Sequence, residues 1–233
     1  MAFLNNKFTC FDPQIKIQKN VISVCPSGVS ATSFQIENGD YWYTTSNVHF
    51  IPLSGPQSTS ALKPDFSECD NFKICIKFKN FALHSSIRYL LGTDIPTSQQ
   101  DNVAGIPQIY IPANSPTLKV DLFDENDNLE TLSAGGISAD EWHYAVLVCQ
   151  PGASGSDITL YLFDESGVEI GSSSISDFKL RGNTENRRIT IGGFSSSYSG
   201  KYAKNIAISA TESFVEVDGE LLWGGYNSIS ANF

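Results

Sequence analysis

Glu141-Trp142-His143-Tyr144-Ala145-Val146-Leu147-Val148-Cys149 is the stretch on which the fold turns. In an extended chain alternate side chains point to opposite faces, and here both sets are bulky or apolar, so a strand of this composition has to be covered on both sides. Downstream, Ile158-Thr159-Leu160-Tyr161-Leu162-Phe163 is followed by Asp164-Glu165-Ser166-Gly167, polar residues suited to reversing the chain, and by a return strand at Val168-Glu169-Ile170. Arg188-Ile189-Thr190-Ile191-Gly192-Gly193, and Gly200-Lys201-Tyr202-Ala203 leading into Asn205-Ile206-Ala207-Ile208, repeat the two-residue period. The segment therefore reads as successive antiparallel strands.

The same pattern extends upstream. Phe72, Ile74, Ile76 and Phe78 alternate with Lys73 and Lys77, which predicts a strand with its aromatic and aliphatic residues inward and its lysines facing water. Ser33-Phe34-Gln35-Ile36 runs into the turn Glu37-Asn38-Gly39-Asp40 and out through Tyr41-Trp42-Tyr43. Both Leu122-Phe123-Asp124-Glu125 and Leu162-Phe163-Asp164-Glu165 end an apolar strand in the same four residues, which predicts two similar hairpins. Residues 94–107 are polar and aperiodic and read as a rim loop. No apolar face with helical spacing runs beyond one turn, so the class is all-β.

Trp142-His143 before a Val/Ala strand, a Leu-Tyr-Leu strand with an acidic-Gly hairpin, Ile189-Thr190-Ile191-Gly192-Gly193, and Tyr198-Ser199-Gly200-Lys201 before Asn205-Ile206 occur in a telling order. This order resembles the laminin-G-like members of the concanavalin A-like lectin and glucanase superfamily. The resemblance covers about residues 66–209. It departs from the family by one extra residue, Lys204 or its neighbour, and by lacking the helical tail after the last strand. It implies a two-sheet antiparallel jelly-roll sandwich and, by itself, no ligand. The expected organisation is an arm or edge strands at 1–30, the sandwich at 31–233, and an extra C-terminal segment at 210–233.

Composition narrows the partners. With 12% aromatic and only 17% charged residues the chain is suited to a sheet-rich globule rather than to disorder, and a net charge of -10 disfavours nucleic acid. The longest apolar run, 145–149, is too short to insert in a membrane. Cys10, Cys25, Cys69, Cys75 and Cys149 cannot all pair within one chain and lack metal-site spacing, so reduced thiols are expected. The first ten residues lack the basic start and apolar core of a secretory signal. A lectin-like domain made where thiols stay reduced points to synthesis in a host cytoplasm and display on a virion surface.

The chemistry candidates are few. Glu216-Val217-Asp218-Gly219-Glu220 has the Glu-x-Asp-x-Glu spacing of glucanases in the superfamily. Its place after the last recognisable strand and its turn-like Asp-Gly lead us to reject Glu216, Asp218 and Glu220 as catalytic. Asp124-x-Asn126-x-Asn128 alternates oxygen ligands as a calcium loop does, but Leu129 and Gly135 stand where an EF-hand needs Gly and Glu. A weaker rim site for Ca²⁺ is the remaining cofactor option, against a plain solvated turn. His49, His84 and His143 are scattered, and His143 matches a structural Trp-His pair in the family.

Sugar recognition remains. A pyranose packs its C–H face on an aromatic ring and directs hydroxyls to planar polar groups, which makes Trp42, Tyr43, Tyr198, Trp223 and Tyr226 the candidates for carbohydrate binding. The expected function is a non-catalytic adhesion or decoration module on a phage virion, binding cell-surface glycan and assembling with other virion proteins or with copies of itself. A purely structural assembly protein is the alternative, and a retaining glycoside hydrolase the third.

Overall fold

The computed structural model describes residues 34–37, 41–44, 51–52, 65–80, 87–93, 105–183, 189–191, 206–209 and 212–224. Strand β4, Phe72–Asn80, lies at the centre of the larger of two sheets. Its inward residues Phe72, Ile74, Ile76 and Phe78 are wholly buried, as the alternation predicts. Beside it runs β9, Trp142–Pro151, with Ile74 opposite Leu147 and Ile76 opposite Ala145. Beyond β9 come β10, Ser156–Asp164, and the edge strand β11, Glu169–Phe178.

On its other flank β4 meets β13, Ile206–Ser209, and then β14, Phe214–Val217, laid end to end along the same edge. β13 is joined by β2, Tyr41–Thr44, and β1, Phe34–Glu37, while β14 is joined by β15, Glu220–Gly224. These complete a nine-stranded sheet. The second sheet has six strands in the order β3, β12, β5, β6, β7, β8. They are Ile51–Pro52, Ile189–Ile191, Arg88–Thr93, Gln108–Ile111, Thr117–Phe123 and Leu129–Gly135. All pairings are antiparallel, and no helix occurs among the described residues.

The chain crosses between sheets after β2, β3, β4, β8, β11 and β12, so the layers are stitched together rather than stacked as independent meanders. This is a two-sheet jelly-roll sandwich. Leu90, Ile109, Ile111, Leu118, Val120, Leu122 and Leu132 from the smaller sheet close on Ile74, Ile76, Leu147, Leu160 and Leu162 from the larger. Each such side chain contributes about 1.5–3 kcal/mol relative to leaving it in water. Arg88, fully buried, clasps one end of the core: its guanidinium donates to Asn80 Oδ1 of the larger sheet and, at 3.2 Å, to the Pro112 carbonyl beyond β6.

Local chemistry explains the turns. The β7–β8 and β10–β11 hairpins close in the same way: Asp124 N–H donates to the Asn128 carbonyl and Asp164 N–H to the Val168 carbonyl. In each a residue sits in the left-handed region, Asp127 at φ 67° and Gly167 at φ 80°. The β14–β15 turn is shorter, with Asp218 at φ 49° and Gly219 at φ 81° between the paired Val217 and Glu220. Residues 214–224 of the C-terminal segment are thus drawn into the larger sheet.

Two strands are longer than the sequence pattern indicates. The length of β8 was not evident, because only Leu132 and Ala134 of its seven residues are buried. β11 continues past Ile170 through Gly171-Ser172-Ser173-Ser174, residues of low strand propensity held by the β10 ladder. At Gly171 the two edges nearly touch: a Cβ there would lie 2.8 Å from the Gly135 carbonyl oxygen.

Candidate functional site

The outer face of the nine-stranded sheet carries more than a solvated row. Cys75 on β4, Tyr144, Val146 and Val148 on β9, Phe163 on β10 and Phe214 on β14 form a second buried cluster there, with Tyr161 packed against it. Lys77, expected to face water, is only 8% exposed. The reason is a bulge that sequence spacing does not reveal. Ile208 of β13 pairs with Phe78, but Phe214 of β14 pairs with Cys75, so the register on β4 advances far less than the chain opposite it.

Ser213 repairs the ladder at the bulge, its Oγ accepting the Lys77 N–H at 3.0 Å. Glu212 turns over the outer face. One carboxylate oxygen accepts the Tyr144 hydroxyl at 2.9 Å and the other meets Lys77 Nζ at 2.7 Å. Lys77 also lies 3.8 Å from Glu165, and its ammonium stands 5.1 Å from the Tyr144 ring centroid and 5.5 Å from that of Trp142. Farther along the face Lys73 pairs with Glu216 at 3.1 Å.

Like Tyr161, Trp142 is half-exposed. It sits opposite Lys79, whose ammonium binds Asp140 at 2.9 Å. The carboxylates that pair with Lys77 and Lys79 reach solvent, with side chains 70% exposed at Asp140, 62% at Glu165 and 35% at Glu212. An aromatic ring beside an ammonium that is itself paired with carboxylates offers the two-sided chemistry a sugar requires, apolar for its C–H face and polar for its hydroxyls. His143, turned inward, stacks on Phe78 at 5.7 Å, donates from Nδ1 to the Glu141 carbonyl at 3.0 Å and accepts the Ser138 N–H at Nε2 at 3.2 Å. Burial pushes its pKa down, against the raising effect of the Glu141 carbonyl bond and of nearby carboxylates.

The residues singled out from the sequence are placed as follows. Trp42 and Tyr43 lie on β2 opposite Ile208 and Ala207, and Trp223 lies on β15 opposite Val215, so these three share the larger sheet at opposite ends of the β13–β14 line. Their side chains are outside the described residues, as are Tyr198, Tyr226 and Lys204. Glu216 is 4% exposed and engaged by Lys73, while Asp218 Oδ1 accepts the Asn71 N–H at 2.9 Å. The chain reverses between Asp218 and Glu220, so the three carboxylates do not project from one strand face. Asp124 Oδ1 accepts the N–H groups of Asn126 and Asn128 at 2.9 and 2.7 Å, and Oδ2 accepts Asn128 Nδ2 at 2.8 Å. Those bonds hold its carboxyl below the usual range, the Asn128 side chain contributing most, and Asp127 is paired with Arg181 at 2.9 Å. Both carboxylate oxygens of Asp124 are thus engaged in closing the hairpin.

Sequence reasoning took Trp142 for a structural residue and missed Lys77 and Glu212. The signal in the sequence at Trp142 is the acidic pair Asp140-Glu141 that precedes it. Among the described residues no group of three or more His, Cys, Asp or Glu is placed to hold a metal. A rim cleft of about 540 Å³ lies between Ser67, Glu125, Ser156, Lys179 and Gly182. Its aromatic, Phe178, is 7% exposed, so it offers no open ring.

No family model and no curated protein matches this sequence. Similar solved structures do exist. One is the CBM40 of the Ruminococcus gnavus IT-sialidase bound to α2,3 sialyllactose, with 16% identity over 68% of this chain and 85% of that one, at a TM-score of 0.44. Another is the native heptameric SAP-like pentraxin of Limulus polyphemus, with 18% identity over 64% of each chain and a TM-score of 0.38. A third is the binding domain of botulinum neurotoxin DC in complex with SialylT, with 10% identity over 65% of this chain and a TM-score of 0.39. The match spans 32% of that toxin chain.

Proposed function

We propose that this protein is a carbohydrate-binding module whose contact surface is the outer face of the nine-stranded sheet around Trp142. The observation that carries the reading is the half-exposed indole set among Asp140, Glu165, Glu212 and the Lys77 and Lys79 ammoniums. Burying one sugar ring against it removes apolar C–H surface from water, and the flanking charges give its hydroxyls charge-assisted partners. The Tyr144–Glu212–Lys77 network contributes rigidity, so less ordering is required on binding.

The setting proposed for it is a virion surface, in a protein made in a cytoplasm. Among the described residues Cys69, Cys75 and Cys149 are not joined by disulfides. A glycan array probed with wild-type protein and with Trp142→Ala tests the binding role. Wild-type protein is expected to select a small set of glycans, and Trp142→Ala to lose at least about tenfold in affinity with little change in melting temperature. Equal binding by the two proteins, or no binding by either, overturns the reading.

A further inference from the structure

The opposite side of the sandwich carries an arrangement that the binding role above does not use. On the outer face of the six-stranded sheet, Tyr110 of β6, Asp121 of β7 and Thr131 of β8 meet across three neighbouring strands. The Tyr110 hydroxyl donates to Asp121 Oδ1 at 3.1 Å, and Thr131 Oγ1 donates to the same oxygen at 2.7 Å. Burial, then the Asp121 carboxylate, raises the Tyr110 pKa, which keeps the phenol protonated and fixed as a donor.

Two bonds to one oxygen set the plane of the carboxylate. Oδ2 takes no hydrogen bond among the described residues, so it is presented as an acceptor in a fixed direction. Lys119 stands opposite Tyr110 on one side and Ser133 on the other, adding an ammonium and a hydroxyl to the same face. The Tyr110 ring is half-exposed, and lies 5.6 Å from Tyr89, which is 6% exposed and supports it from the neighbouring strand. Ring, fixed carboxylate, hydroxyl and ammonium thus occur within one cross-strand patch.

We infer that the patch of Tyr110, Asp121, Thr131 and Lys119 is a second carbohydrate-contact surface, back to back with the first, so that one chain holds two saccharide strands. The fixed carboxylate accepts from a sugar hydroxyl and repels an anionic sugar, so the class is a neutral polyhydroxylated chain. Two contact surfaces on one rigid sandwich raise avidity for a dense glycan layer without any new contact. The chemistry is that proposed for the Trp142 face, but the residues are independent of it.

Asp121→Asn is the informative variant, because its retained side-chain oxygen still accepts from Tyr110 and Thr131 while the outward atom becomes a donor. Retention in native gels containing soluble β-glucan, xylan or galactomannan identifies the polymer, and calorimetry with an oligosaccharide of that polymer counts sites per chain. The expected stoichiometry is two for wild type, one for Asp121→Asn, one for Trp142→Ala and none for the double variant. Retention of Asp121→Asn is expected to fall at least about tenfold in the polymer gel, where both surfaces act together. Lys119→Ala, which does not touch the Tyr110–Asp121–Thr131 bonds, should weaken the second site while leaving the first unchanged.

Unchanged stoichiometry in Asp121→Asn and Lys119→Ala, with all binding lost in Trp142→Ala, overturns this inference and leaves the Trp142 face standing. The reverse pattern removes the Trp142 face and keeps this one. Absence of retention by wild-type protein on all three polymers overturns the inference as stated.

Discussion

Lys77 keeps the outward face that strand alternation assigns it, yet that face is covered and the side chain is buried. Its ammonium is nearly buried between two rings and is balanced by Glu212, so removing Glu212 leaves a desolvated charge with only the more distant Glu165. Glu212→Ala is expected to cost about 1–3 kcal/mol in denaturant unfolding, whereas the double change to Glu212→Leu and Lys77→Met should cost less than the single one. A double change costing more than the single one would contradict this account of the network. His143 has a different signature. Its pKa is lowered by burial, so the unfolded chain binds the proton more readily than the folded one. The stability it contributes is complete above the unfolded value of about 6.5 and is lost as pH falls from there towards the lower folded value. Unfolding free energy followed from about pH 7.5 downward should decline through that window, and His143→Gln should be less stable yet flat across it. A slope preserved in His143→Gln would assign the titration to another group.

The elements differ in how openly the sequence declares them. β4, β9 and β10 were legible because both of their faces bury apolar side chains, so that Phe72, Ile74, Leu147 and Leu160 keep a strict period of two. β8 and β11 were legible only as the return strands of two hairpins and not in their length, since each ends a sheet and most of its side chains meet solvent, leaving serine and glycine where strand formers are expected. The change of register on β4 from β13 to β14 was not legible in the sequence, since it shows only in what β4 pairs with. Ser213→Ala tests it. Loss of the Oγ acceptor leaves the buried Lys77 N–H without its partner, at an expected cost of about 1–3 kcal/mol in thermal or denaturant unfolding. A neutral result would mean that the N–H finds another acceptor and that Ser213 does not hold the bulge. Gly171→Val addresses the opposite edge, where the Gly135 carbonyl leaves no room for a Cβ and one sheet must move away from the other. An expected loss of about 1–3 kcal/mol follows from overpacking, and full stability in Gly171→Val would show that the edges separate freely.

At the scale of the whole molecule, the two-sheet sandwich was readable from the order of apolar strands, while its surface chemistry was not. Trp142 was recognisable only as one half of a Trp-His pair, and the ammoniums of its setting, Lys77 and Lys79, are brought beside it by a strand distant in sequence. Tyr110, Asp121 and Thr131 likewise gain meaning only once β6, β7 and β8 are aligned. The central claim is that glycan contacts the Trp142 indole. The chain contains three tryptophans, so a nitrogen–proton correlation spectrum resolves three indole N–H signals, and Trp142→Phe assigns the one that matters. Titration with an oligosaccharide selected on the glycan array is predicted to shift the Trp142 signal saturably, with a midpoint equal to the dissociation constant measured by calorimetry. A Trp142 signal that stays fixed while binding saturates would contradict the account.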